Sequence, residues 1–231
     1  RCGYWSRLAA WRRTSAPGNG RRRDMTAFKR GKAMTILGIT GPTGAGKTTL
    51  LREVGALGGA VIDCDAVYHE MLEQDAALRS ELEAAFGPLR DGSGRIDRKR
   101  LGAVVFSDPD KLELLNNIAW TAVADQVRIL LADCERQGKQ LAAVDAIALL
   151  EGSIKELCQL TVAVLAPPEV RVRRIMAREG ISEAYAWSRV NAQKPDEYFI
   201  QNCDYTLIND CSSAEEFSQT ARAFLKEVLS S

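Results

Sequence analysis

Gly41-Pro42-Thr43-Gly44-Ala45-Gly46-Lys47-Thr48 fits G-x-x-x-x-G-K-[ST], the pattern of a loop that cradles phosphates between a strand and a helix. Its flanks agree with that reading. Thr35-Ile-Leu-Gly-Ile39 is short, apolar and partly β-branched, which predicts a buried strand. Thr48-Thr49-Leu-Leu-Arg-Glu-Val54 carries apolar residues at helical spacing and predicts a helix to about Ala56, closed by Gly55, Gly58 and Gly59. A glycine-rich turn that merely joins two elements has no need of every fixed position at once.

The residue types set the chemistry. A triphosphate is a dense anion and needs donors that come close. Gly41, Gly44 and Gly46 lack a Cβ, so the main chain can wrap the phosphates and turn its N–H groups inward. The helix that starts near Lys47 adds its positive end. Lys47 is expected to reach the β- and γ-phosphates and the Thr48 hydroxyl to ligate Mg²⁺, with Gly41 to Thr49 as the nucleotide-binding segment.

The 231 residues suit one domain with embellishments or two small ones. Hydrophobic residues at 46% and charged residues at 26% are ordinary for a globular chain, and no apolar run is long enough to span a membrane. The net charge of +1 hides an asymmetry: residues 1–33 hold 10 Lys/Arg against 1 Asp/Glu, leaving 21 basic and 29 acidic residues for the rest. An acidic body argues against a general nucleic-acid surface. Six cysteines without a C-x-x-C pair, and the single His69 away from them, argue against a zinc site or a disulfide framework. Reduced thiols, a cytoplasmic location and action as a monomer or weak homo-oligomer are the expectations.

Residues 1–33, with Arg12-Arg13 and Arg21-Arg22-Arg23, look foreign to the fold and are expected to be disordered. A basic arm, an organellar transit peptide and an extension upstream of a start at Met34 compete, the last being favoured. Residues 34–231 form the expected P-loop domain. Ala60-Val-Ile-Asp63-Cys-Asp65 predicts a second strand ending in two acids, where ligands bind in open α/β sheets. Asp65 there can take a proton from an attacking hydroxyl, or it can simply cap the helix that follows; both can hold. Asp63 divides between a site role and none, and His69 reads as a surface or packing residue. Helices are expected over 75–86, around Asp97–Phe106 and from Pro109 to about Gln137. Some 75 residues thus separate two parallel strands, far beyond a simple crossover, so 74–137 is a candidate acceptor-binding insert. Arg98, Lys99 and Arg100 either grip an anionic substrate there or form a solvated face. Leu141 begins a third strand with Asp145 near its end, and Thr161–Ala166 is a fourth. The helix after Pro167-Pro168 is basic along one side (Arg171, Arg173, Arg174, Arg178). Arg174 and Arg178 share a face, able to neutralise charge on a transferring phosphate or to pair with Glu169 and Glu179. Ser182 caps a further helix, Cys203–Ile208 is a fifth strand, and Ser213-Ala-Glu-Glu216 opens the last helix with a capping box.

From Met34 onward the chain resembles the dephospho-CoA kinase family. Val61-Ile-Asp63-Cys-Asp65 is similar to its V-I-D-A-D, and Arg95-Ile-Asp97-Arg98-Lys-Arg-Leu101 with Val105-Phe106 follows its pattern. Leu114-Leu-Asn-Asn-Ile118, Arg174-Ile-Met-Ala-Arg178, Arg189-Val-Asn-Ala-Gln193 and Cys203-Asp-Tyr205 through Asn209 look like its later segments. Trp120-Thr121 stands where the family often has His-Pro, and Ile147-Ala-Leu-Leu-Glu151 lacks the proline of its P-L-L-x-E. The resemblance implies a three-layer α/β P-loop kinase fold with a five-stranded parallel sheet, a helical CoA-binding insert and a helical lid over 168–195. It implies ATP-dependent phosphorylation of the ribose 3′-hydroxyl of dephospho-CoA, with Asp65 as base. It also implies Arg174 and Arg178 closing over the phosphate, Arg98 at the CoA-binding helices, and no nucleic-acid or membrane partner. Another small-molecule kinase, acting on nucleosides, nucleotides or shikimate, is the nearest alternative. A nucleotide-dependent switch lacks the N-K-x-D that would specify guanine, and a dead scaffold would not need the intact motif.

Overall fold

The computed structural model describes Trp11–Arg13 and residues 34–230. In chain order its first elements are β1 (Trp11–Arg13), β2 (Thr35–Thr40), α1 (Lys47–Ala56), β3 (Ala60–Asp63) and α2 (Cys64–Gln74). Next come α3 (Ala76–Phe86), α4 (Arg98–Val105), α5 (Pro109–Arg136), β4 (Leu141–Asp145), α6 (Ile154–Leu157) and β5 (Leu160–Leu165). The chain closes with α7 (Pro168–Glu179), α8 (Glu183–Asn191), α9 (Asp196–Asn202), β6 (Tyr205–Ile208) and α10 (Ala214–Ser230). One sheet runs β1-β6-β5-β2-β4-β3; the five strands from β2 to β6 are mutually parallel, and β1 alone is antiparallel. The strand that feeds the glycine loop is therefore central, between β4 and β5, and the loop opens at the carboxyl ends of the strands.

Alternation along the strands builds the three layers. In β2, Leu37 and Ile39 face α1 and α10, whereas Ile36 packs with the helical insert. In β4, Leu141 and Ala143 face the first side and Ala142 and Val144 the second. On the α10 side Phe217, Phe224 and Leu225 are fully buried against Leu50 and Val54 of α1. Truncating either phenylalanine to Ala would cost about 3–5 kcal/mol. On the other side α2, α3, α4 and α5 fold into a helical cap whose Leu72, Leu82, Leu101 and Val127 pack down onto Ile62 and Val144. Each of these helices begins on an aspartate whose carboxylate takes two backbone N–H groups: Asp63, Asp75, Asp97 and Asp108.

Two expectations are corrected. Asp65 does not cap α2; Asp63 does, accepting from the N–H groups of Asp65 (2.9 Å) and Ala66 (3.1 Å), and Asp65 stands in the first turn. Strand β3 turns directly into helix, so the cap falls two residues earlier than the apolar run suggests. Disorder does not hold for Trp11–Arg13, which pairs with Tyr205–Leu207. The open edge of β6 offers unpaired amides, and Trp11 packs edge-on to Phe224 with ring centroids 6.1 Å apart. The remainder of residues 1–33 lies outside the described residues. Helices α6 and α9 are additional to the elements expected. Among the described residues no helix is long and apolar enough to cross a membrane, and the described cysteines form no disulfide.

Candidate active site

The loop is shaped by contacts only glycine permits. Gly41 has φ 131°, and a Cβ there would lie 2.1 Å from the Val164 carbonyl oxygen. Gly46 has φ 111°, and its Cβ would meet Asn209 Nδ2 at 2.2 Å. That asparagine is itself fixed, donating to Ala45 O at 2.7 Å. Gly46 is the N-cap of α1 and no side chain caps the helix, so its first amides stay available to an anion. Lys47 Nζ folds back onto Gly41 O at 2.8 Å, and burial pushes its pKa down. Thr48 is exposed at the first turn and Thr49 N–H closes onto Gly46 O at 3.0 Å.

Around Lys47 the sheet gathers carboxylates. Register places Asp63 beside Asp145, and Asp145 beside Ile39 of β2. Asp145 and Asp65 both act on Lys47 through their charges. Burial raises Asp145 to about 6; Lys47 opposes the rise, and Asp63 and Asp65 add to it. Asp145 Oδ1 is buried without a hydrogen-bond partner among the described residues. The sequence placed Asp145 at a strand end but gave it no role; the strand-end position was the available signal. Asp65 is exposed, with only its backbone N–H tied to Asp63.

The two arginines expected to act as a pair part company. Arg174 turns to the back of the loop, donating to Gly44 O and Ala45 O (both 3.3 Å), Asn209 Oδ1 (3.0 Å) and Cys211 O (3.4 Å). Arg178, one turn on, remains exposed, pairs with Glu179 at 2.5 Å and acts electrostatically on Lys47. Arg189 of α8 binds the other oxygen of the same glutamate. Arg98 is exposed at the start of α4, and its charge acts on Tyr68 of α2.

Two residues outside the expected set hold the loop. Buried Arg171 donates from Nε to Thr43 O at 3.1 Å, and Gln193 Oε1 accepts from Thr43 N at 3.1 Å while also accepting from Arg171. Both backbone groups of one loop residue, Thr43, are thus held by side chains from α7 and the segment after α8. The spacing of 128 and 150 residues left no local signal; only the family-like Arg189…Gln193 segment pointed there.

Beside the loop lies a cavity of about 240 Å³ lined by Gly41, Pro42, Thr43 and Lys47, by Ile147, Leu150 and Glu151 after β4, and by residues from Ala192 to Phe199. The segments that carry the two departures from the family pattern approach each other: a side chain on Gly152, next to Glu151, would lie 3.8 Å from Trp120. A polyphosphate cradle, carboxylates beside it and a cavity against its leading edge together suit phosphoryl transfer to a small acceptor.

Comparison with known proteins agrees. The dephospho-CoA kinase family model matches residues 35–215. The dephospho-CoA kinase of Dehalococcoides mccartyi is 31% identical over 197 residues, covering 85% of this chain and 98% of that protein. That of Geobacter sulfurreducens is 35% identical over 167 residues, covering 71% and 84%. The crystal structure of TT1252 from Thermus thermophilus superposes with a TM-score of 0.67 at 34% identity, covering 86% of this chain and 98% of that one. A shikimate kinase from Bacteroides thetaiotaomicron, 19% identical with a TM-score of 0.50 over 86% of this chain and all of that one, shares the fold. With glycine loop, strand-end carboxylates and family match all falling on the same span of residues, the chain belongs to the dephospho-CoA kinase family.

Proposed function

We propose that the chain transfers the γ-phosphoryl group of ATP to the ribose 3′-hydroxyl of dephospho-CoA, giving coenzyme A and ADP. One observation carries the reading. Lys47, the group that grips the phosphates, shares its electrostatic surroundings with Asp65, Asp145 and Arg178. That neighbourhood supports reading the phosphate site and the proton acceptor for an alcohol as one site. The family match supplies the acceptor.

The loop amides and the end of α1 hold the triphosphate, and Lys47 leaves Gly41 O for the terminal phosphates. The 3′-oxygen attacks the γ-phosphorus as the bond to the β–γ bridging oxygen breaks. Its proton passes to Asp65, whose exposed carboxylate has no competing side-chain partner among the described residues. Arg178 exchanges Glu179 for the transferring group and neutralises charge there. Arg98 meets the acceptor's anionic part from α4. The residues fit magnesium: the Thr48 hydroxyl and the orphaned Asp145 oxygen are hard donors beside the cradle. Among the described residues no three or more acidic, His or Cys side chains gather as a metal cage. When bound, the ion would supply positive charge that offsets the charge of the phosphates.

The test is Asp65→Asn, with turnover of dephospho-CoA and ATP binding measured together. Turnover should fall about 10²–10⁴-fold with ATP affinity within a few-fold of wild type. Turnover near wild type refutes the base assignment.

A further inference from the structure

We infer that the cavity beside the loop binds the purine ring of the acceptor, and that Glu151 is the specificity residue that reads its exocyclic amine. This deepens the function proposed above and rests on it. The cavity's walls are chemically divided. Ile147, Leu150 and Phe199 give it apolar surface, and the large side chain of Ile147 is 72% exposed at the mouth. An apolar side chain left open beside a phosphate site gains from a flat ring laid against it. The rim is polar, with Glu151, Lys194 and Gln193.

Glu151 is held loosely enough to accept a new donor. Tyr198 Oη donates to its Oε1 at 3.3 Å, and Lys194 Nζ stands 4.0 Å from the same oxygen. No hydrogen bond among the described residues reaches Oε2. Lys194 also lies 5.3 Å from the centre of the Tyr198 ring, which fixes a cation beside the carboxylate and offsets its charge near the phosphates. An apolar slot with an acceptor at its rim matches a purine that presents an amine.

The acceptor's base belongs here rather than the donor's. Lys47 reaches the terminal phosphates, and the phosphates nearer the donor nucleoside lie over the first turn of α1. The cavity touches Gly41, Pro42, Thr43 and Lys47, the leading edge of the loop, and its wall includes neither Thr48 nor Thr49. The donor side, by contrast, is where Arg174 ties Asn209 and Cys211 to the loop. In dephospho-CoA the reacting 3′-hydroxyl and the adenine sit on one ribose, so a hydroxyl at the γ-phosphate places the base one sugar ring away, at the cavity.

The experiment compares wild type, Glu151→Ala and Ile147→Asp. Acceptors are dephospho-CoA and its analogue with unsubstituted purine in place of adenine; donors are ATP and the purine ribonucleoside triphosphate that also lacks the amine. Wild type should prefer the adenine acceptor by about 10- to 100-fold in kcat/KM, the scale of a hydrogen bond to a charged group. Glu151→Ala should raise the KM for dephospho-CoA by a similar factor and erase the preference, with KM for ATP moving less than about twofold. Ile147→Asp should weaken both acceptors alike. A preference that survives in Glu151→Ala, a wild type without one, or a loss that falls on the donor overturns the subsite. A wild type that binds ATP and leaves dephospho-CoA unphosphorylated overturns the functional reading itself.

Discussion

Replacing Asp145 by Asn should make the unliganded protein more stable at neutral pH while crippling the enzyme. The carboxyl rises from its ordinary 3.8 to about 6 in the fold, chiefly because burial disfavours its charge. A raised acid binds its proton more tightly folded than unfolded. Its native form is therefore unpenalised below about pH 4, loses stability as pH climbs from there through 6, and carries the whole penalty above. The difference between 3.8 and about 6 corresponds to roughly 3 kcal/mol at pH 8. Asn keeps the shape and removes the charge. In chemical denaturation, the variant's stability gain should be near zero at pH 4 and grow to about 3 kcal/mol at pH 8. That is roughly a 6–12 °C rise in Tm for a chain of this size. Turnover should drop at least tenfold in the same variant, because the anionic oxygen that suits magnesium is replaced by a neutral amide. A stability difference that stays flat from pH 4 to pH 8 would refute the account of Asp145 as a buried, strained carboxyl.

Lys47→Met should lower kcat about 10²–10⁴-fold, read in a coupled ADP assay, since a pre-organised charge at the reacting phosphates is lost. Gly46→Ala places a Cβ 2.2 Å from Asn209 Nδ2 at φ 111°, so ATP binding measured by calorimetry should vanish and Tm should fall. Glu53 is 2% exposed and its carboxylate accepts from Ser218 of α10 and from Arg222, joining α1 to the last helix. Glu53→Ala should cost about 2–3 kcal/mol in urea unfolding, because the buried Ser218 hydroxyl is left without its charged partner.

The sheet was legible because its strands are short apolar runs and its first turn is a spaced motif. Periodicity and capping residues carry that information locally, and Asp97, Asp108 and Ser213 stand one residue ahead of their helices, each side chain accepting an N–H two or three residues on. What stayed hidden depends on distant partners. Nothing near Arg171 or Gln193 says that they will meet on one residue of the loop. Arg174 and Arg178 look equivalent on a helical wheel, yet only the former finds carbonyls at the β6–α10 turn to bind. Trp11 joins the sheet because Phe224, more than two hundred residues on, leaves an aromatic edge for it. Asp145 gains its meaning from register, which sets it beside Asp63 across a 77-residue excursion from 64 to 140.

The grip on Thr43 couples two parts of the molecule mechanically. Its carbonyl and amide are both held by side chains carried on the arch that follows β5. Cradle and arch are thereby geared: a nucleotide that reshapes one must swing the other, and neither can relax alone. One arginine and one glutamine thus tie any movement of the phosphate loop to the helices that follow β5.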